Sequence, residues 1–189
     1  SSEYLSLRKR ALEYRSLVPS MLYAATCCHP EISYCISRLC SHLDNPSEKH
    51  LCAAQQCKAY LYHNRLMGIR YTRGSNLEVK TLYGRLESNL VSMSDANFST
   101  GRSISGNISF IANGPVSWMA KKQPVTSIST TEAEYYAASS CGQDILFLRH
   151  LLSDIGLPPT KPTTLYVDNS GTVDLSKHFE SSTRTRHID

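Results

Sequence analysis

Between residues 14 and 63 the apolar positions recur at helical intervals. Ile32, Cys35, Ile36, Leu39 and Leu43 form one stripe, and Leu51, Ala54, Lys58 and Leu61 a less regular second one. The spacing predicts helices that each bury one face. Pro19, Pro30 and Pro46 each stand where a helix can begin, because a first-turn proline gives up an amide that has no partner within the helix. Asn45-Pro46-Ser47-Glu48 predicts a start with Asn45 as the cap, Pro46 in the first turn and Glu48 three residues on. From Gly68 the period changes. GIRYTRG, LEVKTLYG and NLVSMSDANF read as strands, which separates a helical region, residues 1–75, from a second region, residues 76–189.

In the second region, GNISFIANGPVSWMAKK carries Asn113-Gly114 between two strand-like runs, the dipeptide preferred by a two-residue turn with positive φ. With SMSDANF ahead of it, this predicts three antiparallel strands. A long helix from about Thr130, the strand TTLYVDN and a short helix through Leu175 follow. The order indicates an α/β domain with a mixed sheet.

The long helix opens with two carboxylates two residues apart, Glu132 and Glu134. Two residues along a helix is a turn of about 200°, so they point in different directions. Glu134 shares its face with Ala137, Ala138, Cys141, Ile145, Leu148 and Leu152, all apolar; Glu132 shares a mixed face with Tyr135, Tyr136, Ser139, Gln143, Leu146 and His150. Glu134 is therefore expected to face inward and Glu132 outward, where Ser129-x-x-Glu132 matches a capping box. A carboxylate on a core stripe is costly unless paired, protonated or metal-bound; the alternative is a side chain that bends out at the helix start. Asp95 follows NLVSMS and Asp168 ends TTLYVD, each at a strand terminus. Three acids delivered by two strands and one helix can converge at one edge of the sheet, where a hard divalent cation, Mg²⁺ foremost, relieves their repulsion.

Composition narrows the class. The chain has 189 residues, 41% hydrophobic and 19% charged, enough for one large core or two small ones. No apolar run reaches the roughly 20 residues that span a bilayer and no secretory leader is read; Ser1 in place of Met reads as a fragment, a processed product or an expressed piece. The net charge of +4 suits a polyanionic partner without requiring one. Arg8-Lys9-Arg10, Lys121-Lys122 and Arg184 to His187 read first as solvated surface. Six of the seven cysteines lie between Cys27 and Cys57, yet no Cys-x-x-Cys occurs. Cys35/Cys40 and Cys52/Cys57 are each five apart, about 140° around a helix and poorly placed for chelation. They read as core fillers of an intracellular, reducing compartment, cytoplasmic or nuclear, rather than as a zinc site.

SDANFSTGRSISGNISFIANGPVSWMAKKQPVTSISTTEAEYYAA, LYVDNSGTVDL and STRTRHID together resemble the ribonuclease H domain of copia-type retrotransposon polyproteins. The most specific stretch is WMAKKQPVTSISTTEAEY. The preceding EYRSLVPSMLYAATCCHPEISYCISRLCSHLDNPSEKHLCAAQQCKAYLYHN is similar to the segment joining the reverse transcriptase to that domain. The resemblance implies a ribonuclease H-like mixed sheet, three antiparallel strands and then a parallel one with flanking helices, preceded by a small helical subdomain. It implies an endonuclease in which Asp95, Glu134 and Asp168 hold Mg²⁺, or Mn²⁺, and two ions drive hydrolysis of the RNA strand of an RNA–DNA hybrid. Ser129, Thr130, Thr131 and Asn169 are then candidates for backbone or sugar contacts, and Lys121, Lys122 and Arg184 for phosphate contacts. The remainder of a reverse transcriptase is an expected partner, and a membrane is not.

The chain departs from the family pattern in several places. The family usually has Asp-Trp after SDA, where Asn97-Phe98 stands here. The paired catalytic aspartates of the reverse transcriptase are absent, so polymerisation is not expected. In the family a fourth acid lies on a helix tens of residues past the position of Asp168, whereas the sequence stops at Asp189, 21 residues on. The last strand and helix are therefore expected to be missing, with Asp189 the one acid left to stand in, and His187 reads as solvated. Three functions remain open, in this order: a hybrid-specific ribonuclease; a domesticated or decayed, catalytically weak module that binds nucleic acid or a protein; and a nucleic-acid-independent interaction protein, which only the missing terminus recommends. For the isolated chain we expect weak, salt-sensitive binding of hybrid, with slow Mg²⁺-dependent cleavage partly rescued by Mn²⁺.

Overall fold

The structure, a computed structural model, describes residues 2–72 and 90–177. The chain divides into two compact units, Ser1–Ile69 and Arg70–Asp189.

In the first unit α1 (Ser2–Cys27), α2 (Ser33–Cys40) and α3 (Glu48–His63) follow one another, with a 3-10 turn at Pro30–Ile32 ahead of α2. Tyr14, Val18, Met21 and Ala25 recur at helical spacing along α1 and cluster with Ile32, Ile36, Leu39, Ala54 and Cys57. Leu51, Cys35 and Cys40 pack at the edge of this core. The Tyr14 hydroxyl donates to the Leu39 carbonyl over 2.7 Å, which satisfies the one polar atom of a fully buried ring.

Two helix starts differ from the expectation. Pro19 lies inside α1, which already runs from Ser2, and it does so on the exposed side. The cap of α3 is Ser47 rather than Asn45. The Ser47 hydroxyl accepts from the His50 amide, and His50 Nδ1 accepts from the Ser47 amide. A histidine thus fills the place expected of a carboxylate, because its unprotonated ring nitrogen is an acceptor of suitable reach.

Among the described residues the second unit holds a four-stranded sheet in the order β3-β2-β1-β4. The strands are β1 (Val91–Asn97), β2 (Ile104–Ile111), β3 (Gly114–Lys122) and β4 (Thr164–Tyr166), with α4 (Thr130–Asp154) and α5 (Ser170–Lys177). The first three pair antiparallel and β4 runs parallel to β1. This is the three-plus-one arrangement of a ribonuclease H-like sheet. Pro115 and a register shift opposite Ser109/Phe110 both fall on β3, an edge strand, where a missing ladder donor and a bulge are tolerated.

The hairpin turn sits one residue earlier than Asn113-Gly114. Ala112 and Asn113 carry the positive φ values, 53° and 64°, and Gly114 already belongs to β3. Glycine is needed there for close approach instead: a Cβ would lie 2.5 Å from the Tyr71 ring and 2.9 Å from the Arg70 carbonyl. Residues 68–72 form no strand, contrary to the reading of GIRYTRG. Their polar groups buttress the turn. The Thr72 amide donates to the Ala112 carbonyl, the Tyr71 hydroxyl to the Pro115 carbonyl, and Asn113 Nδ2 to Thr72 Oγ1. The run LEVKTLYG lies outside the described residues.

The core under α4 changes character along the helix. Leu90, Ile111, Val116 and Leu165 pack with Cys141, Ile145, Leu148 and Leu152. Farther along β1 and β2 the buried residues on the face toward α4 are polar, Ser92, Ser94, Ser105, Asn107 and Ser109. Ser92 and Ser109 share a 2.7 Å hydrogen bond, and Asp144 of α4 accepts from Ser109 and Ser117. The inward residues at the start of α4 are Ala133, Glu134 and Ala137. Among the described residues no helix is long and apolar enough to cross a membrane.

Candidate metal centre

Strand pairing sets two acids level. β4 matches β1 as Val91↔Thr164, Ser92↔Leu165 and Met93↔Tyr166. Asp95 and Asp168 each lie two residues past the last matched pair, which places them at corresponding positions on one side of the two strands. The third acid comes from α4. Ser129 caps that helix by accepting from the Glu132 amide at 3.1 Å. The Glu132 carboxylate reaches past the cap to the Ile128 amide at 2.6 Å, one residue beyond the partner a capping box predicts. Glu134 is 7% exposed, as the face count requires, while Glu132, expected to face outward, is half-buried against the turn it caps.

One carboxylate oxygen from each of Asp95, Glu134 and Asp168 lies within 4.8 Å of the others. The two aspartates are exposed and Glu134 is buried. Burial pushes the Glu134 carboxyl up from 4.5 to about 7; the neighbouring Asp95 and Asp168 charges and a hydrogen bond with Asp95 add to the rise, while a hydrogen bond from the Ala96 amide opposes it. Glu134 Oε2 is buried without a hydrogen-bond partner. An orphaned carboxylate oxygen beside two exposed carboxylates is an all-oxygen, anionic donor set, and that chemistry fits Mg²⁺ or Mn²⁺.

Thr131 and Asn169 lie next to one another near the cluster. A Cβ on Gly171 would meet both, the Asn169 Oδ1 at 3.1 Å and the Thr131 Cγ2 at 3.1 Å. Asn169 Oδ1 also accepts from the Thr172 amide at the start of α5. Lys121 and Lys122 are exposed at the end of β3. Lys121 belongs to the row Ala96–Ser105–Lys121, the step after Asp95–Gly106–Ala120, so its backbone is two strand spacings, roughly 10 Å, from β1. Arg184, His187 and Asp189 lie outside the described residues.

Sequence reasoning missed three groups that hold this site: the Ala96 amide, Thr172 and Gln123. Thr172 is buried and donates from its hydroxyl to the Thr131 carbonyl at 3.3 Å. Gln123 is buried just past β3. Its signal was strand parity, since it continues the series Ser117, Met119, Lys121 on the face toward α4.

The chain is 32% identical over 180 residues to the retrovirus-related Pol polyprotein from transposon TNT 1-94 of Nicotiana tabacum. It is 31% identical over 180 residues to the corresponding polyprotein from transposon RE1 of Arabidopsis thaliana. Each match covers 93% of this chain but only 13% and 12% of those proteins. A third relative, secreted RxLR effector protein 161 of Plasmopara viticola, is 28% identical over 71% of this chain and 90% of its own length. No family model matches the chain, and no solved structure matches it significantly.

Proposed function

We propose that this chain, which is homologous along nearly its whole length to the Pol polyproteins of copia-type retrotransposons, is a metal-dependent nuclease of ribonuclease H type that cuts the RNA strand of RNA–DNA hybrids. The observation that carries the reading is the convergence of Asp95, Glu134 and Asp168 within 4.8 Å, with a buried and unpartnered oxygen on Glu134. These three residues would hold Mg²⁺ or Mn²⁺, which when bound supplies an activated water and charge stabilisation at the leaving oxygen.

The protein's own contribution is placement. The exposed aspartates present oxygens on the solvent side, and buried Glu134 anchors the cluster from the helix. With its carboxyl near 7, Glu134 is about half protonated at neutral pH and must release that proton to act as a ligand. Thr131 and Asn169 offer a hydroxyl and an amide to a ribose 2′-hydroxyl. The exposed Lys121 and Lys122 suit flanking phosphates, which position a duplex without reading its sequence. A second reading, a weakly catalytic binding module, is favoured by one observation: a secreted effector matches this sequence over 90% of its own length.

The test is a labelled hybrid incubated with the chain in Mg²⁺ or Mn²⁺, beside Asp95→Asn. The expected result is metal-dependent cleavage of the RNA strand alone, faster in Mn²⁺ and lost in Asp95→Asn. Cleavage that survives Asp95→Asn overturns the reading. Hybrid binding with no cleavage in either ion supports the module instead.

A further inference from the structure

We propose that Gln123 is the positioning residue for Glu134; the inference rests on the metal-dependent reading above and concerns how its buried ligand is held. Gln123 is 1% exposed, and its whole side-chain amide is engaged. Nε2 donates to Ser105 Oγ and to the Ala133 carbonyl, each over 2.9 Å, and Oε1 accepts from Ser127 Oγ at 2.9 Å. Its backbone amide donates to the Ser103 carbonyl. One side chain therefore ties together β2, the first turn of α4 and the connection between β3 and α4.

These bonds close a ring around one acid. Ser105 is the partner of Ala96 across β2 and β1. The Ala96 amide donates to the Glu134 carboxylate. Glu134 is joined through its peptide bond to Ala133, whose carbonyl returns to Gln123. Glu134 is thereby held at both ends, its carboxylate by β1 and its backbone by Gln123. The amide's two N–H groups are both used, so a side chain with one donor or none opens the ring. A residue that only filled space here would affect stability and leave ion affinity alone.

The test compares Mn²⁺ affinity among folded chains. Gln123→Met keeps length and volume but drops all three side-chain bonds, and Ser105→Ala removes a single partner. Ser109→Ala is the control, since that hydroxyl lies on the same strand but bonds Ser92 and Asp144, outside the ring. Binding is measured on the full chain by electron paramagnetic resonance and calorimetry, at a temperature where circular dichroism shows each variant folded.

The Mn²⁺ dissociation constant should rise about tenfold or more in Gln123→Met. It should rise by a smaller factor in Ser105→Ala and stay unchanged in Ser109→Ala. Wild-type affinity in Gln123→Met, or an equal loss in Ser109→Ala, overturns the inference and leaves the metal site standing. Mn²⁺ binding that is absent from the wild type, or indifferent to Asp95→Asn, overturns the metal reading and this inference with it. If Gln123→Met does not fold, Ser105→Ala decides, and an affinity equal to that of Ser109→Ala overturns the proposal.

Discussion

Replacing Glu134 with Gln removes the one buried carboxyl of the acid cluster, and the change in stability can be worked from its titration. In the folded, metal-free chain the carboxyl holds its proton up to about pH 7, chiefly because it is buried; its ordinary value is 4.5. Between those values the folded state binds more protons than the unfolded one, so stability declines as pH rises through the window. The contribution is fully present below 4.5 and lost as pH rises through about 7. At about 1.4 kcal/mol per pH unit the whole loss is about 3 kcal/mol, or roughly 6–12 °C in Tm for a chain of this size. Trp118 is the single tryptophan and lies in β3, so its fluorescence reports on the unit that holds the site. In chelator, Tm measured from pH 4 to 8 should fall more steeply for wild type than for Glu134→Gln. Mn²⁺ at 100 times its Kd should then restore about 2.7 kcal/mol to wild type at pH 8, and much less to the variant. Parallel pH profiles would refute the claim that the surroundings hold Glu134 protonated. An equal gain from Mn²⁺ in both chains would refute its role as a ligand.

Gly114→Ala should lower stability by about 1–3 kcal/mol in urea titration, because the new methyl would lie 2.5 Å from the Tyr71 ring; adding Tyr71→Ala should cost less than the sum of the single changes, and strict additivity would exclude the contact with the ring as the cause. Arg149→Met should cost about 2 kcal/mol and speed hydrogen exchange at Thr164–Tyr166, since the guanidinium donates to the Pro159 and Lys161 carbonyls and to Thr163 Oγ1 ahead of β4. Unchanged protection there would mean that β4 is held by its pairing with β1 alone.

Glu134 is legible in the sequence because helical periodicity is a short-range rule, and the residues that share its face follow it in the chain. The three antiparallel strands and the parallel one are legible for the same reason, through alternation and turn chemistry. Errors arise where two residues compete for one role. Gly114 looks like a turn glycine because glycine relieves positive φ, but here it relieves a steric approach by Tyr71, a residue 43 positions earlier. His50 does what Glu48 is expected to do at the start of α3, since a neutral imidazole nitrogen also accepts. Pro19 sits within α1 at an exposed position, so it marks no start. Gln123 is hardest to read. Strand parity after β3 marks the face it takes, but its bonds run to Ser105 and Ala133, partners on either side of it in the chain that parity does not name.

The short pairing of β4 with β1 makes spacing a matter of whole steps. Only three residues on each strand are matched before the chains run on to Asp95 and Asp168, and a slip of one residue moves an acid by about 3.3 Å and turns it to the other face of the sheet. Distances of that kind cannot be tuned gradually; they are kept or lost in single codons. Over many copies of such a sequence, apolar letters can exchange at Leu165, which packs under α4, so long as the number of residues between Thr164 and Asp168 does not change. The quantity inherited there is a length.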